Sequence, residues 1–425
     1  MMRRFALLVL VACGGTDPGS SPDASDTLDV TTGSVTMLVT ERGVPVVGLP
    51  VFFRDADTAR LSMTGELGSV GLDLDAGGSV TVLQPRSRYG TDQLSTFAEV
   101  EAGDVLHLDL DPLGPPTIEV AIAIPAATGA AGYQLHTSCG GPFGVAPGPA
   151  QTFALEGCNS GTVDLLVLAY DDDSNLVASL FSGSRSLTAP ITVAGTYTPY
   201  VATMDNTLAY TNVDFSFLGV YQAIVSSGRR VYESTRGDSL EPGVTEKTFA
   251  IEQPGVTGAT MLYSTTPFPH PEAFDEQVVL EHQPAGPYSL DLRGALLTPY
   301  TSLGAFEIAA RRLVWTEAAG GSRADLVRAG IRVSRRDLPA WTWQIVAPRV
   351  ADPVVTFPEL PVLASRDLNP QVGDIVTVTE LTNVDFPVAY AAELRANAFA
   401  DLHRIIERGP GRMVIQRRYV VEPSL

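Results

Sequence analysis

From residue 34 onward the chain alternates apolar and polar positions in short runs, the period of a strand with one buried face. Residues 34–40 (SVTMLVT), 51–53 (VFF) and 78–83 (GSVTVL) are the first such runs, and turn residues separate them at sandwich spacing. Leu106, Leu108 and Leu110 take one face of a further strand, and His107, Asp109 and Asp111 the other. Residues 117–124 form a β-branched run after Pro115-Pro116, and residues 165–168 and 176–178 flank a hairpin tip. Near the end, Trp341, Trp343 and Ile345 share a face opposite Thr342 and Gln344. One helix is predicted over 391–406, where leucine and isoleucine recur at three or four residues. Pattern and turns together predict an all-β chain of tandem β-sandwich modules.

The length of 425 residues exceeds one core, and at about 100–200 residues per domain it suggests three or four. Breaks in the pattern divide the chain into 34–112, 113–204, 205–301 and 302–425. Short fragments recur: Pro125–Ala130 resembles Pro254–Ala259, Thr198–Tyr200 matches Thr298–Tyr300, and Thr211–Phe215 matches Thr382–Phe386. They share no single period, so they are weak evidence of duplication.

The first 33 residues are different. Arg3 and Arg4 precede an apolar run, 5–11, which ends in Ala12-Cys13. The run is far short of the ~20 residues needed to span a bilayer and fits the apolar region of a signal peptide. Leu10-Val11-Ala12-Cys13 resembles the lipobox of bacterial lipoproteins. The resemblance implies removal of 1–12, diacylglycerol on the Cys13 thiol and acylation of the new amino terminus. Several acyl chains give a stable anchor. Gly14 stands where an aspartate would imply inner-membrane retention, so the resemblance implies the outer membrane. Residues 14–33 have almost no apolar side chains and read as a disordered tether, with 13–33 as the lipidated segment. Such a coil spans about 25 Å.

Within 34–112, Gly43, Pro45, Val46, Gly48 and Val51 resemble the G-x-P-V-x-G-x-x-V opening of carboxypeptidase-regulatory-like and collagen-adhesin B-type repeats. Gly68, Leu74, Gly77 and residues 80–82 fall where those folds place a glycine turn and final strands. The resemblance implies a prealbumin-like sandwich of structural or binding type, and the later modules loosely resemble immunoglobulin-like or fibronectin type III sandwiches.

The net charge of -20 repels nucleic acid, which removes that class of partner. Cysteines number three. With Cys13 assigned to lipid, Cys139 and Cys158 remain, and in an oxidising envelope the natural reading is a disulfide. The alternative, a redox-active or metal-binding pair, lacks C-x-x-C spacing and has only His136 nearby.

Catalytic motifs are absent: no G-x-S-x-G elbow, no H-E-x-x-H helix and no P-loop. Asp171, Asp173 and Asn175 copy the first ligands of a calcium loop, but Leu176 replaces its glycine and Ser182 its glutamate, which leaves a hairpin tip. His107, Asp109 and Asp111 read as a solvated face, and His270, Glu272, Glu281 and His282 match no ligand spacing. Trp341 and Trp343 have two readings, a platform for stacking a sugar or part of a core shared with Ile345. The expectation is a non-enzymatic, lipid-anchored envelope protein without cofactor. Its partners are the membrane, through the anchor, and an envelope protein or glycan. The runner-up is a carbohydrate-binding surface protein.

Overall fold

The computed structural model describes residues 34–419 except 56–57, 75–76, 86–89, 111–116, 157, 159–160, 202–205, 257, 269–275, 303, 319–323, 337, 364–365, 387–394, 396–398, 400–405 and 407–410. Cys13, Asp111, His270 and Glu272 therefore lie outside the described residues, as does most of the helix expected at 391–406, where Arg395 and Ile406 have helical backbone. Strands make up 60% of the structure and helix 3%, so the chain is all-β.

Four sandwiches follow one another in sequence. The first holds β1 (Ser34–Glu41), β2 (Val44–Pro45), β3 (Pro50–Arg54), β4 (Ala59–Met63), β5 (Ser69–Asp73), β6 (Gly78–Gln84), β7 (Asp92–Val100) and β8 (Val105–Asp109). The second holds β9 (Ile118–Ala123), β10 (Gly132–Thr137), β11 (Gly140–Gly144), β12 (Gln151–Leu155), β13 (Thr162–Tyr170), β14 (Leu176–Ser186), β15 (Ile191–Thr192) and β16 (Thr198–Pro199). The third holds β17 (Asn206–Thr211), β18 (Phe217–Ser226), β19 (Arg229–Ser239), β20 (Glu246–Ile251), β21 (Thr260–Phe268), β22 (Glu276–Pro284), β23 (Tyr288–Asp291) and the one-turn helix α1 (Leu292–Ala295). The fourth holds β24 (Ala305–Glu307), β25 (Arg312–Val314), β26 (Leu326–Ser334), β27 (Trp341–Pro348), β28 (Val354–Thr356), β29 (Ile375–Asp385) and β30 (Gly411–Tyr419).

One strand order recurs in the large sheets of all four, and one small-sheet pattern in the first three. In the first three, the opening strand is central in the smaller sheet, β5-β1-β8 with β2 also on β1, β12-β9-β15 and β20-β17-β23. It pairs parallel with β8, β15 or β23 near the end of its sandwich and antiparallel with β5, β12 or β20. The larger sheets run β4-β3-β6-β7, β11-β10-β13-β14-β16, β19-β18-β21-β22 and, in the fourth sandwich, β27-β26-β29-β30. An immunoglobulin constant domain instead groups its strands A, B, E and D in one sheet and C, F and G in the other. The likeness among the sandwiches thus resides in strand order. The recurring fragments do not mark it: Thr211–Phe215 begins at the end of an opening strand, whereas Thr382–Phe386 begins within the penultimate strand of its sandwich.

The sandwiches are not separate beads. The large sheets of the third, fourth and first join edge to edge into one twelve-stranded sheet. β22 pairs antiparallel with β30 from Glu276↔Arg417 to His282↔Gly411, and β27 pairs parallel with β7 from Trp341↔Asp92 to Val346↔Phe97. The spatial order along the sheet is third, fourth, first. The second sandwich packs on β19, where the tilted rings of His136 and Tyr232 meet with centroids 5.1 Å apart and Arg229 pairs with Asp164 at 3.0 Å.

This merger explains runs with no alternation in burial. Residues 51–53 are all buried because both faces of β3 are covered. Val51 and Phe53 meet Val35, Met37 and Leu106 of the small sheet, while Phe52 joins Trp341, Trp343 and Phe357 on the other side. Each such side chain contributes about 1.5–3 kcal/mol by leaving water. Phe399 and Ile406, between β29 and β30, belong to the first sandwich's core, and Phe399 meets Phe97 edge-on at 4.9 Å. Gly68 turns at φ +67°, and a Cβ there would run into the carbonyl oxygen of Val39, so the turn before β5 requires glycine.

Candidate functional site

The strands of the third sandwich's large sheet place three rows of side chains on one face. Tyr221 stands opposite Thr235 on one side and Ser264 on the other; Gly219 stands opposite Gly237 and Thr266; Phe217 stands opposite Ser239 and Phe268. Towards β30 this face is closed, because Leu280, Met413 and Ile415 are buried in a core with Phe399 and Ile406. The cover ends at Tyr221, which is only partly buried against that core. Beyond it lies a cavity of about 380 Å³, within the range of small-molecule sites.

Two glycines paired across strand interiors are costly for a sheet, because glycine gives up more backbone freedom and packs nothing. Their use here is steric. A Cβ on Gly237 would collide with the ring of Phe217, and one on Gly219 would lie 3.4 Å from Phe217 and 3.6 Å from Phe268. The ring of Phe217 therefore lies low across the glycine gap. It meets Phe268 edge-on with centroids 5.5 Å apart, and Phe268 keeps 42% of its surface exposed.

Hydroxyl and charged groups surround the rings. Thr235, Ser264 and Thr266 supply hydroxyls, and Glu276 stands at the margin. The Tyr221 hydroxyl donates to Glu233 at 2.7 Å and accepts from Arg230 at 3.2 Å. Burial pushes the Tyr221 phenol up to about 12, with Arg230 opposing, so it holds its proton at neutral pH.

The residues singled out in the sequence lie elsewhere. Trp341 and Trp343 have no exposed surface, so the platform reading is corrected: an indole inside a core cannot stack on a sugar. Trp343 donates to Thr96 at 2.8 Å and meets Phe357 edge-on at 5.3 Å, and Arg335 lies 5.2 Å over Trp341. Both faces of their sheet are covered, so alternation could not separate platform from core. Cys139 and Cys158 form a disulfide with Cα atoms 5.1 Å apart. His107 contacts Thr40 at 3.1 Å, and Asp109 accepts from the Arg42 amide at 3.0 Å. Asp171 accepts from the amides of Asp173 and Asn175, which ties its carboxylate into the hairpin tip and holds it below the usual carboxylate range. His282 contacts the Ile406 carbonyl at 2.9 Å, and Glu281 pairs with Arg412 at 3.0 Å. Among the described residues, no three His, Cys, Asp or Glu side chains form a cluster able to hold a metal. The groove was missed in the sequence, although Gly219 and Gly237 inside strand-like runs were its available signal.

No family model and no curated protein matches the chain. Among solved structures, similarity is found to the Bacillus anthracis TIE protein, 12% identical over 61% of this chain and 50% of that one, with a TM-score of 0.16. This chain thus spans half the length of that structure. Similarity also extends to a Ca2+-stabilized adhesin with which an Antarctic bacterium binds ice, 8% identical over 84% of this chain and 95% of that one, with a TM-score of 0.13.

Proposed function

We propose that this chain is a lipid-anchored envelope protein, held by acylated Cys13 on the outer membrane, whose sandwiches form a stiff arm that binds or spaces a surface partner without catalysis. The observation that carries this reading is the twelve-stranded sheet. Sandwiches on linkers reorient freely, whereas a sheet joint bends only by breaking backbone hydrogen bonds. The β22–β30 and β27–β7 joints hold three sandwiches in fixed order, as a spacer or presenting arm requires.

The described histidines support a structural use of groups that acid–base catalysis would need free. His107 and His282 are engaged by Thr40 and by Thr260 and Ile406, and His136 is buried against Tyr232. In a bacterial host fed an alkyne fatty acid, the wild-type chain should take up label and fractionate with membranes, and Cys13→Ser should do neither. Label retained by Cys13→Ser, or a wild-type chain free of lipid, would overturn the anchor.

A further inference from the structure

We infer that the groove on the third sandwich, built on Phe217, Phe268 and the paired Gly219 and Gly237, is a binding site for a neutral glycan chain. This assigns a ligand class to the arm and rests on the reading of the chain as a binding protein.

The first argument is the cost of the site. Gly219 and Gly237 occupy the interiors of two ten- and eleven-residue strands and face each other in register. No tight turn demands glycine at either position, since neither has a positive φ. What they permit is the low position of the Phe217 ring, which a Cβ at Gly237 would block. Glycine inside a strand often marks a close approach by another group, and here that group is an aromatic surface open to solvent.

The second argument is the chemistry of the lining. A ring lying low on a sheet offers its face, and a pyranose offers a complementary patch of axial C–H bonds. Around that patch the sugar carries hydroxyls, which both donate and accept. The groove answers with Thr235, Ser264 and Thr266, which do the same, and with Glu276 as an acceptor at the margin. The Tyr221 hydroxyl is already committed to Glu233 and Arg230, which fixes that wall. A purely apolar partner would leave these hydroxyls to be desolvated without replacement bonds.

The third argument is charge. The chain carries -20, and the groove's face mixes signs, with Glu276 at the margin and Glu233 and Arg230 together at the Tyr221 hydroxyl. A polyanionic polymer gains nothing from this field, whereas a neutral chain is indifferent to it. β19 is an edge strand of the twelve-stranded sheet, and the second sandwich meets it at Arg229 and Tyr232 rather than at the groove's Thr235 and Gly237.

The test uses the full chain in detergent, so that success or failure of the Cys13 anchor does not affect it. Native electrophoresis is run through gels containing a soluble β-glucan, an α-glucan or a galactomannan, with alginate as the polyanion. Retardation is expected in at least one neutral gel and not in alginate. Phe268→Ala, at a position that is already largely exposed, should weaken it about tenfold, the scale of one lost aromatic contact. Phe217→Ala should do the same, with thermal melts confirming that both variants fold. Three results would overturn the inference: no retardation in any neutral polysaccharide, retardation unchanged in both folded variants, or capture of an apolar peptide, added as a competitor, in preference to every glycan.

Discussion

Arg395 grips both carboxylate oxygens of Asp104, with Nε at 2.8 Å and Nη2 at 2.9 Å, across 291 residues of sequence. Each side chain is only 4% exposed. The pair fastens the connection between β29 and β30 of the fourth sandwich to the turn before β8 in the first, and Glu101 adds a contact at 2.9 Å. The carboxylates raise the affinity of the guanidinium for its proton against the opposing effect of burial. Removing one partner leaves a buried charge uncompensated, so Arg395→Met should cost about 3–5 kcal/mol. The double variant Arg395→Met with Asp104→Leu should recover much of that. Urea titrations of the set provide the check, and additive losses would show that the pair is not coupled.

His136 gives the junction between the second and third sandwiches a pH dependence. Burial depresses its pKa to about 4, with the nearby Glu233 charge pulling the other way. The unfolded chain takes up the proton near pH 6.5, above the folded value. Stability from burying the neutral ring is thus fully present above pH 6.5 and is lost as pH falls from there to about 4, by about 3 kcal/mol. His136→Phe should flatten this window. Denaturant midpoints at pH 7.5 and 4.5 for both proteins test it, and an equal pH response in the two would refute the assignment.

All three tryptophans, Trp315, Trp341 and Trp343, are at most 1% exposed. Native fluorescence should be blue-shifted and poorly quenched by acrylamide, and added glycans should leave it unchanged. Trp343→Phe should cost about 1 kcal/mol for the lost bond to Thr96. Trp343→Ala should cost about 3–5 kcal/mol through the cavity it leaves. Ready quenching of the folded protein would contradict the buried placement.

The disulfide closes a sequence separation of 19 within the second sandwich. In the chain-entropy account such a closure contributes about 3 kcal/mol by restricting the unfolded chain. The Cys139→Ala, Cys158→Ala double variant should therefore lower the melting temperature of that sandwich, and a reducing agent should lower the wild type to match. A melt insensitive to reduction would remove the bond from the stability of the fold.

Much of the strand content was legible because a strand with one wet face must alternate. Leu106 and Leu108 inside, with His107 outside, follow that rule. Phe52 beside Phe53 does not, and the reason is the second cover on β3, which no local pattern reports. The groove was illegible for a related reason. Phe217 and Phe268 lie 51 residues apart and read as ordinary strand aromatics until the β18–β21 register sets them side by side.

The sequence by itself determined the all-β class, through period-two alternation and dense turn residues. The tertiary structure alone decided that β27 pairs with β7 and β22 with β30, and with that the burial of Trp341 and Trp343. Sheets join through backbone amides and carbonyls, which are the same at every residue, so an edge carries no side-chain code for the strand it will meet.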